Sequence, residues 1–152
     1  MSPEEAAALV ARIKEAFPNE PVPGPDEILN PDVSYIYGED EESKSTLARR
    51  KWTSLTLQEI FHIREWLALL SPRAFTYYAP AWMVCYVLDP DGLDTGLCSI
   101  LMGLKYGDIG MRTPEQVQVV CDWLTWVYRV RGTRSLEELE PIAKRLGCPY
   151  LG

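Results

Sequence analysis

The sequence has little of what catalytic and membrane-bound architectures require. No run approaches the ~18 uninterrupted apolar residues of a membrane-spanning helix. The opening Met1-Ser2-Pro3-Glu4-Glu5 is acidic where a secretory signal is basic and then apolar, so a cytoplasmic protein is expected. There is no C-x-x-C, and the four cysteines (Cys85, Cys98, Cys121, Cys148) are too widely spaced for a zinc site. In a reducing compartment they are expected to remain thiols, three of them as small core residues. Phosphate-cradling glycine loops, a nucleophile elbow and an H-E-x-x-H helix are all absent. No self-similarity at ~20–50 residues points to a solenoid.

What is present is a chain of 152 residues with a net charge of -7 and 47% apolar residues. Such a chain buries roughly 70% of its unfolded surface and makes one domain. The acid is uneven. Residues 1–47 carry 11 acids against three bases, a net of -8, whereas residues 48–152 carry 11 acids and 12 bases, a net of +1. The expected organisation is therefore a single helical domain over 1–152, with an acidic helix and strap over 1–47 and a helical core over 48–152. No basic face of the kind nucleic-acid binders show is evident.

Helix signals run through the chain. Ser2-Pro3-Glu4-Glu5 is a capped start, and Ala6, Leu9, Val10, Ile13 and Phe17 follow at helical spacing. Five prolines between Pro18 and Pro31 forbid regular structure and predict an extended surface strap. Glu39 to Arg50 runs from acid to base, which suits a short helix dipole. Thr56 and Glu59 form a capping box before Leu57, Ile60, Phe61, Ile63, Trp66, Leu67 and Leu70. Ser71-Pro72 starts another helix, with Pro80 expected to kink or split it near Ala79. Asp89-Pro90-Asp91-Gly92 reads as a turn. Residues 97–104 fit a helix or a strand equally. Thr113-Pro114-Glu115-Gln116 is the clearest start; Val117, Val120, Cys121, Leu124, Val127 and Tyr128 form one apolar stripe, and Val119, Trp123, Trp126 and Val130 a second. Ser135 to Leu146 is a last helix. The class is all-α: a compact bundle of five or six helices with a proline-rich strap near the N-terminus.

Few constellations suggest chemistry. Glu59-x-x-His62-x-x-Glu65 is half of a di-iron carboxylate pattern, and a single histidine cannot complete it within one chain. The plainer reading is that His62 lines the polar side of its helix. Asp89, Asp91 and Asp94 resemble a calcium loop, but Ile100 stands where the closing glutamate belongs. Asp122 is expected to face water or to pair with an arginine such as Arg129. No catalytic residue, metal ligand or cofactor is nominated.

Trp52-Thr53-Ser54-Leu55, the run Leu70-Ser71-Pro72-Arg73-Ala74-Phe75-Thr76-Tyr77-Tyr78-Ala79-Pro80-Ala81 and Thr113-Pro114-Glu115-Gln116 together resemble a bacterial family of unknown function with a W-x-x-L, L-S-P-x-A-F-x-Y-Y-x-P-A and T-P-E-Q motif set. The resemblance covers roughly residues 48–131. It implies no activity, and these residues read as fold determinants.

The aromatic content is the richer signal, with five tryptophans and eight tyrosines. Core packing accounts for most of them. Tyr35 and Tyr37 precede the acid run Glu39, Asp40, Glu41 and Glu42, and Trp123 and Trp126 exceed what one buried face needs. These eight residues are the candidate partner-binding set: aromatic anchors beside acids that steer a basic protein. The plainer reading is that the stripe contacts another helix and the acid run is simply solvated. The expected function is a small protein-binding module, an immunity-type protein or inhibitor that neutralises a basic bacterial toxin. The alternatives are a metal-assisted enzyme using Glu59, His62 and Glu65, and a structural or regulatory homodimer through Trp123 and Trp126. No nucleic acid and no membrane is expected among the partners.

Overall fold

A computed structural model describes residues 2–35, 38–107, 113–149 and 151. It is all-α, with eight α-helices and no strand among the described residues. The helices are α1 (Pro3–Ala16), α2 (Glu39–Leu47), α3 (Leu57–His62), α4 (Pro72–Leu88), α5 (Pro90–Leu93), α6 (Thr95–Tyr106), α7 (Pro114–Arg131) and α8 (Leu136–Leu146). None is long and apolar enough to cross a membrane. The contacts divide the chain into two units, 18–110 and 1–17 with 111–152. The acids near the N-terminus are also split: unit 18–110 holds 14 acids and 7 bases, a net of -7, while the other unit holds 8 of each.

In unit 18–110 the prolines do make a strap, and aromatic donors hold it down. Trp52 Nε1 donates to Pro18 O at 3.1 Å, and the Tyr77 hydroxyl donates to Asn19 O at 2.5 Å. Further along, Ser71 N–H donates to Ile28 O at 2.9 Å and the Ser71 hydroxyl to Glu27 O. Ile28 is fully buried. The Thr56/Glu59 capping box forms as expected. The helix it starts is shorter than its apolar pattern and ends at His62, and side chains serve carbonyls at and beyond its end. Arg64 Nη1 donates to Phe61 O at 2.8 Å, and Trp82 Nε1 donates to Arg64 O at 3.1 Å.

Helix α4 runs through Pro80 without the expected split. Ala79, Pro80 and Ala81 are all buried, and packing on every side outweighs the ~3 kcal/mol a mid-helix proline costs. Asp89-Pro90-Asp91-Gly92 forms a single helical turn, with Gly92 N–H donating to the Asp89 carboxylate at 3.0 Å. Residues 97–104 are helical, in α6, which packs on α4. Gly103 permits that approach, since a Cβ there would overlap the Phe75 ring.

In the other unit, α7 packs on α1 and on α8. Arg12 pairs with Asp122 at 2.6 Å and Gln116 Nε2 donates to Ala16 O at 3.1 Å, so α1 and α7 run antiparallel. Of the two predicted starts, Ser2 accepts from Glu5 N–H as one half of the expected capping box, and Thr113 and Gln116 close a full one. The cysteine expectation is corrected here. Cys121 and Cys148 form a disulfide with Cα atoms 5.5 Å apart. Cys85 is buried as expected, and Cys98 is exposed.

Candidate functional site

The acid run becomes α2. Four carboxylates fill its first turn, where the unpaired N–H groups and the helix dipole favour negative charge. Within that turn Glu41 and Glu42 are exposed, Asp40 is half-buried, and Glu39 is 8% exposed.

The far end of α2 is braced. The buried Tyr78 hydroxyl lies 2.7 Å from Leu47 O and 2.9 Å from Arg50 O, serving two carbonyls where the helix stops. Burial pushes its phenol well above the ordinary tyrosine range. Arg50 grips Glu59 with two parallel bonds, Nη1 to Oε2 at 2.6 Å and Nη2 to Oε1 at 2.9 Å. That grip, helped by the Thr56 N–H, lowers the Glu59 carboxyl to about 2. On the exposed side His62 Nε2 lies 2.7 Å from Glu42 Oε2. The acidic turn is thus carried on a helix tied to α3 and α4 at residues 42, 47 and 50.

The predicted anchors fare differently. Tyr35 does lie by the acids, whose charges, together with burial as the larger cause, raise its phenol. Its hydroxyl is already used, however: it accepts from Asn30 N–H at 3.0 Å and donates to Leu69 O at 2.6 Å. Tyr35 anchors the chain inward. Tyr37 lies outside the described residues. Trp123 and Trp126 belong to the other unit and are 0% and 8% exposed. Their stripe lies where α7 meets both α1 and α8, and both rings are largely covered there. The apolar residues of α7 needed two buried faces, not one.

The metal-enzyme constellation does not converge. Glu59 is held by Arg50 and Thr56, His62 by Glu42, and Glu65 accepts from the Thr95 hydroxyl at 2.8 Å. No group of three His, Cys, Asp or Glu among the described residues could hold a metal ion.

Two features escaped the sequence reading. Asp122 pairs with Arg12 of α1, not with Arg129, and also accepts from Gln118 Nε2 at 3.0 Å. Arg12 lines two open depressions on the seam between α1 and α7. One, of about 290 Å³, is lined by Leu9, Asp122, Trp126 and Arg129 among others; the second, of about 340 Å³, by Glu15, Ala16, Glu115 and Val119. The signal was the polar spacing Arg12–Glu15 on α1 and Glu115–Gln118–Asp122 on α7, stripes that only pairing of the two helices brings together. No protein-family model, curated protein or solved structure matches the chain.

Proposed function

We propose that the protein is a binding module for a basic protein partner, with the first turn of α2 as its recognition element. More specifically, it acts as an immunity-type inhibitor that occupies the basic surface of a toxin. The observation that carries this reading is the concentration of carboxylates at Glu39–Glu42 on a braced helix, within a unit whose net charge is -7. Fixed charges of one sign accelerate the approach of a partner of the other sign, and a pre-formed helix avoids an ordering cost on docking.

The test compares three proteins: the native chain, Asp40→Asn/Glu41→Gln/Glu42→Gln, and a control with the same charge change on α8, Glu137→Gln/Glu138→Gln/Glu140→Gln. Glu39 is left intact because it is buried. Each is used to capture partners from the native host at low and moderate salt. A basic protein held by the native chain and the control, whose association slows about tenfold with the α2 variant and loses much of its salt dependence, sustains the reading. Equal association by all three removes α2 from recognition, and capture of no protein removes the binding module. Growth arrest by the captured protein alone, relieved by co-expression of this chain, is the outcome required for toxin neutralisation.

A further inference from the structure

Helix α6 is apolar on two sides. Leu97, Ile100, Leu101 and Leu104 are buried. On the side left over, Cys98, Met102 and Tyr106 stand at i, i+4 and i+8, one line along the helix. All three are exposed, Met102 by 56% and Tyr106 by 73%. Single exposed apolar residues are ordinary, but three in line make a continuous stripe. An exposed charge stands at each end. Asp94 is the N-cap residue, and Lys105 lies in the last turn. They fall four residues before and seven residues after Cys98, so helical spacing brings both to its side. Neither is committed within the chain. The Asp94 side chain makes no capping hydrogen bond, and Lys105 Nζ meets only the Tyr106 ring, 5.1 Å from its centroid. Neither joins an ion pair among the described residues.

We propose that this outer face of α6 is a self-association surface, on which two copies of the chain pair antiparallel with Asp94 of each against Lys105 of the other. A two-fold contact must be self-complementary: whatever one residue meets must meet it in return. A face with opposite charges at its two ends satisfies that only when the helices run in opposite directions. Parallel copies would set Asp94 against Asp94 and Lys105 against Lys105. Matching residue 94 to residue 105 places the two-fold axis between Ser99 and Ile100. Cys98 of one copy then lies opposite Met102 of the other, and Tyr106 opposite Asp94. With helix axes ~8–10 Å apart, the two Cys98 Cα atoms come within roughly 6–7 Å. One 12-residue helix per copy offers less than the ~800 Å² a side of a standard interface, so the dimer is weak, with a Kd on the order of 100 µM. The surface is separate from the acidic turn of α2, and neither reading depends on the other.

The experiment is sedimentation equilibrium of the full chain from about 10 µM to about 1 mM, a range that spans the expected Kd. The native chain should pass from monomer to mostly dimer. Met102→Glu changes an exposed side chain, so the fold should hold, as circular dichroism checks, while association weakens at least tenfold. Asp94→Lys and Lys105→Glu should each weaken it at least tenfold when alone. Mixed in equal amounts, these two variants should recover the native affinity, because each altered charge then faces its opposite and each native charge keeps its native partner. Cys85 is buried and Cys121 is bonded to Cys148, which leaves Cys98 as the exposed thiol. A short bismaleimide should therefore join two native chains through Cys98, and should do so at least tenfold more slowly with Met102→Glu at the same concentration. A chain that stays monomeric to about 1 mM overturns the proposal and leaves the stripe to a different occupant. A dimer that survives Met102→Glu overturns it by placing the contact on another face. Charge variants that mixing fails to rescue overturn the antiparallel pairing.

Discussion

The two units solve the same problem of loose chain by different chemistry. Unit 18–110 contains the proline strap and several short turns, and their carbonyls lack helical partners. Aromatic side chains supply the donors: Trp52 to Pro18, Tyr77 to Asn19, Tyr35 to Leu69, Trp82 to Arg64, and Tyr78 to Leu47 and Arg50. Each ring is buried or half-buried, with its polar tip on backbone. The other unit is built on α1, α7 and α8, the last two separated only by residues 132–135. Its one orphan among the described buried side-chain polar atoms is Trp126 Nε1. There a disulfide joins α7 to Cys148, just past α8. Five of the thirteen Trp and Tyr thus serve irregular backbone, three of them while filling the core.

The sharpest way to break that comparison is to disturb the close packing of unit 18–110. Gly103→Ala puts a methyl into the Phe75 ring, which is 4% exposed and has no open space to enter. Overpacking costs up to ~3 kcal/mol, and the better helix propensity of Ala returns ~1 kcal/mol. The net expectation is a loss of about 2 kcal/mol, read by urea unfolding. An unchanged or raised midpoint would mean that α4 and α6 part easily, and that hydrogen bonds to the strap, not packing, hold this unit.

Local structure was largely legible in the sequence. Ser2, Thr56, Ser71 and Thr113 each cap the helix that their spacing announced, because capping depends on residues three apart. What lay hidden was long-range. Tyr35 looked like a partner anchor because nothing near it in sequence reveals Asn30 N–H and Leu69 O as its partners. For Trp126 the plainer reading, a stripe that contacts another helix, is the one the packing of α7 on α1 and α8 bears out. Cys121 and Cys148 are 27 residues apart, and only the return of α8 along α7 makes them neighbours. The acid run was legible as charge but not as a braced helix, since the brace at Tyr78 comes from α4.

A smaller effect tests the brace itself. The Glu59 carboxyl lies at about 2 in the folded chain against an ordinary 4.5. Below pH ~4.5 the unfolded chain takes up a proton that the folded one refuses, so stability present above that pH is lost as pH falls toward 2. Arg50 and Glu59 side chains are 35% and 31% exposed, so solvent screening reduces the contribution to ~1 kcal/mol. Glu59→Gln should therefore remove about 1 kcal/mol at pH 6 and flatten the unfolding profile between pH 4.5 and 2. A variant as acid-sensitive as the native chain would show that other carboxylates set the acid limb, and that the hold of Arg50 on α3 is incidental.

The smallest effect is expected at the ion pair between α1 and α7 in the other unit. Arg12 and Asp122 are 2.6 Å apart, but their side chains are 46% and 36% exposed. An exposed pair of this kind contributes ~0.5 kcal/mol or less, because water screens the attraction and two long side chains lose freedom. Arg12→Met keeps the aliphatic stem along the seam with α7, and Asp122 retains Gln118 Nε2. Unfolding free energy should change by no more than about 0.5 kcal/mol, and the change should vanish in 0.5 M salt. A salt-insensitive loss of more than ~1.5 kcal/mol would make the pair a desolvated contact that orders α1 on α7. This unit would then also depend on polar side chains for its closure, and the contrast drawn between the two halves of the chain would fail.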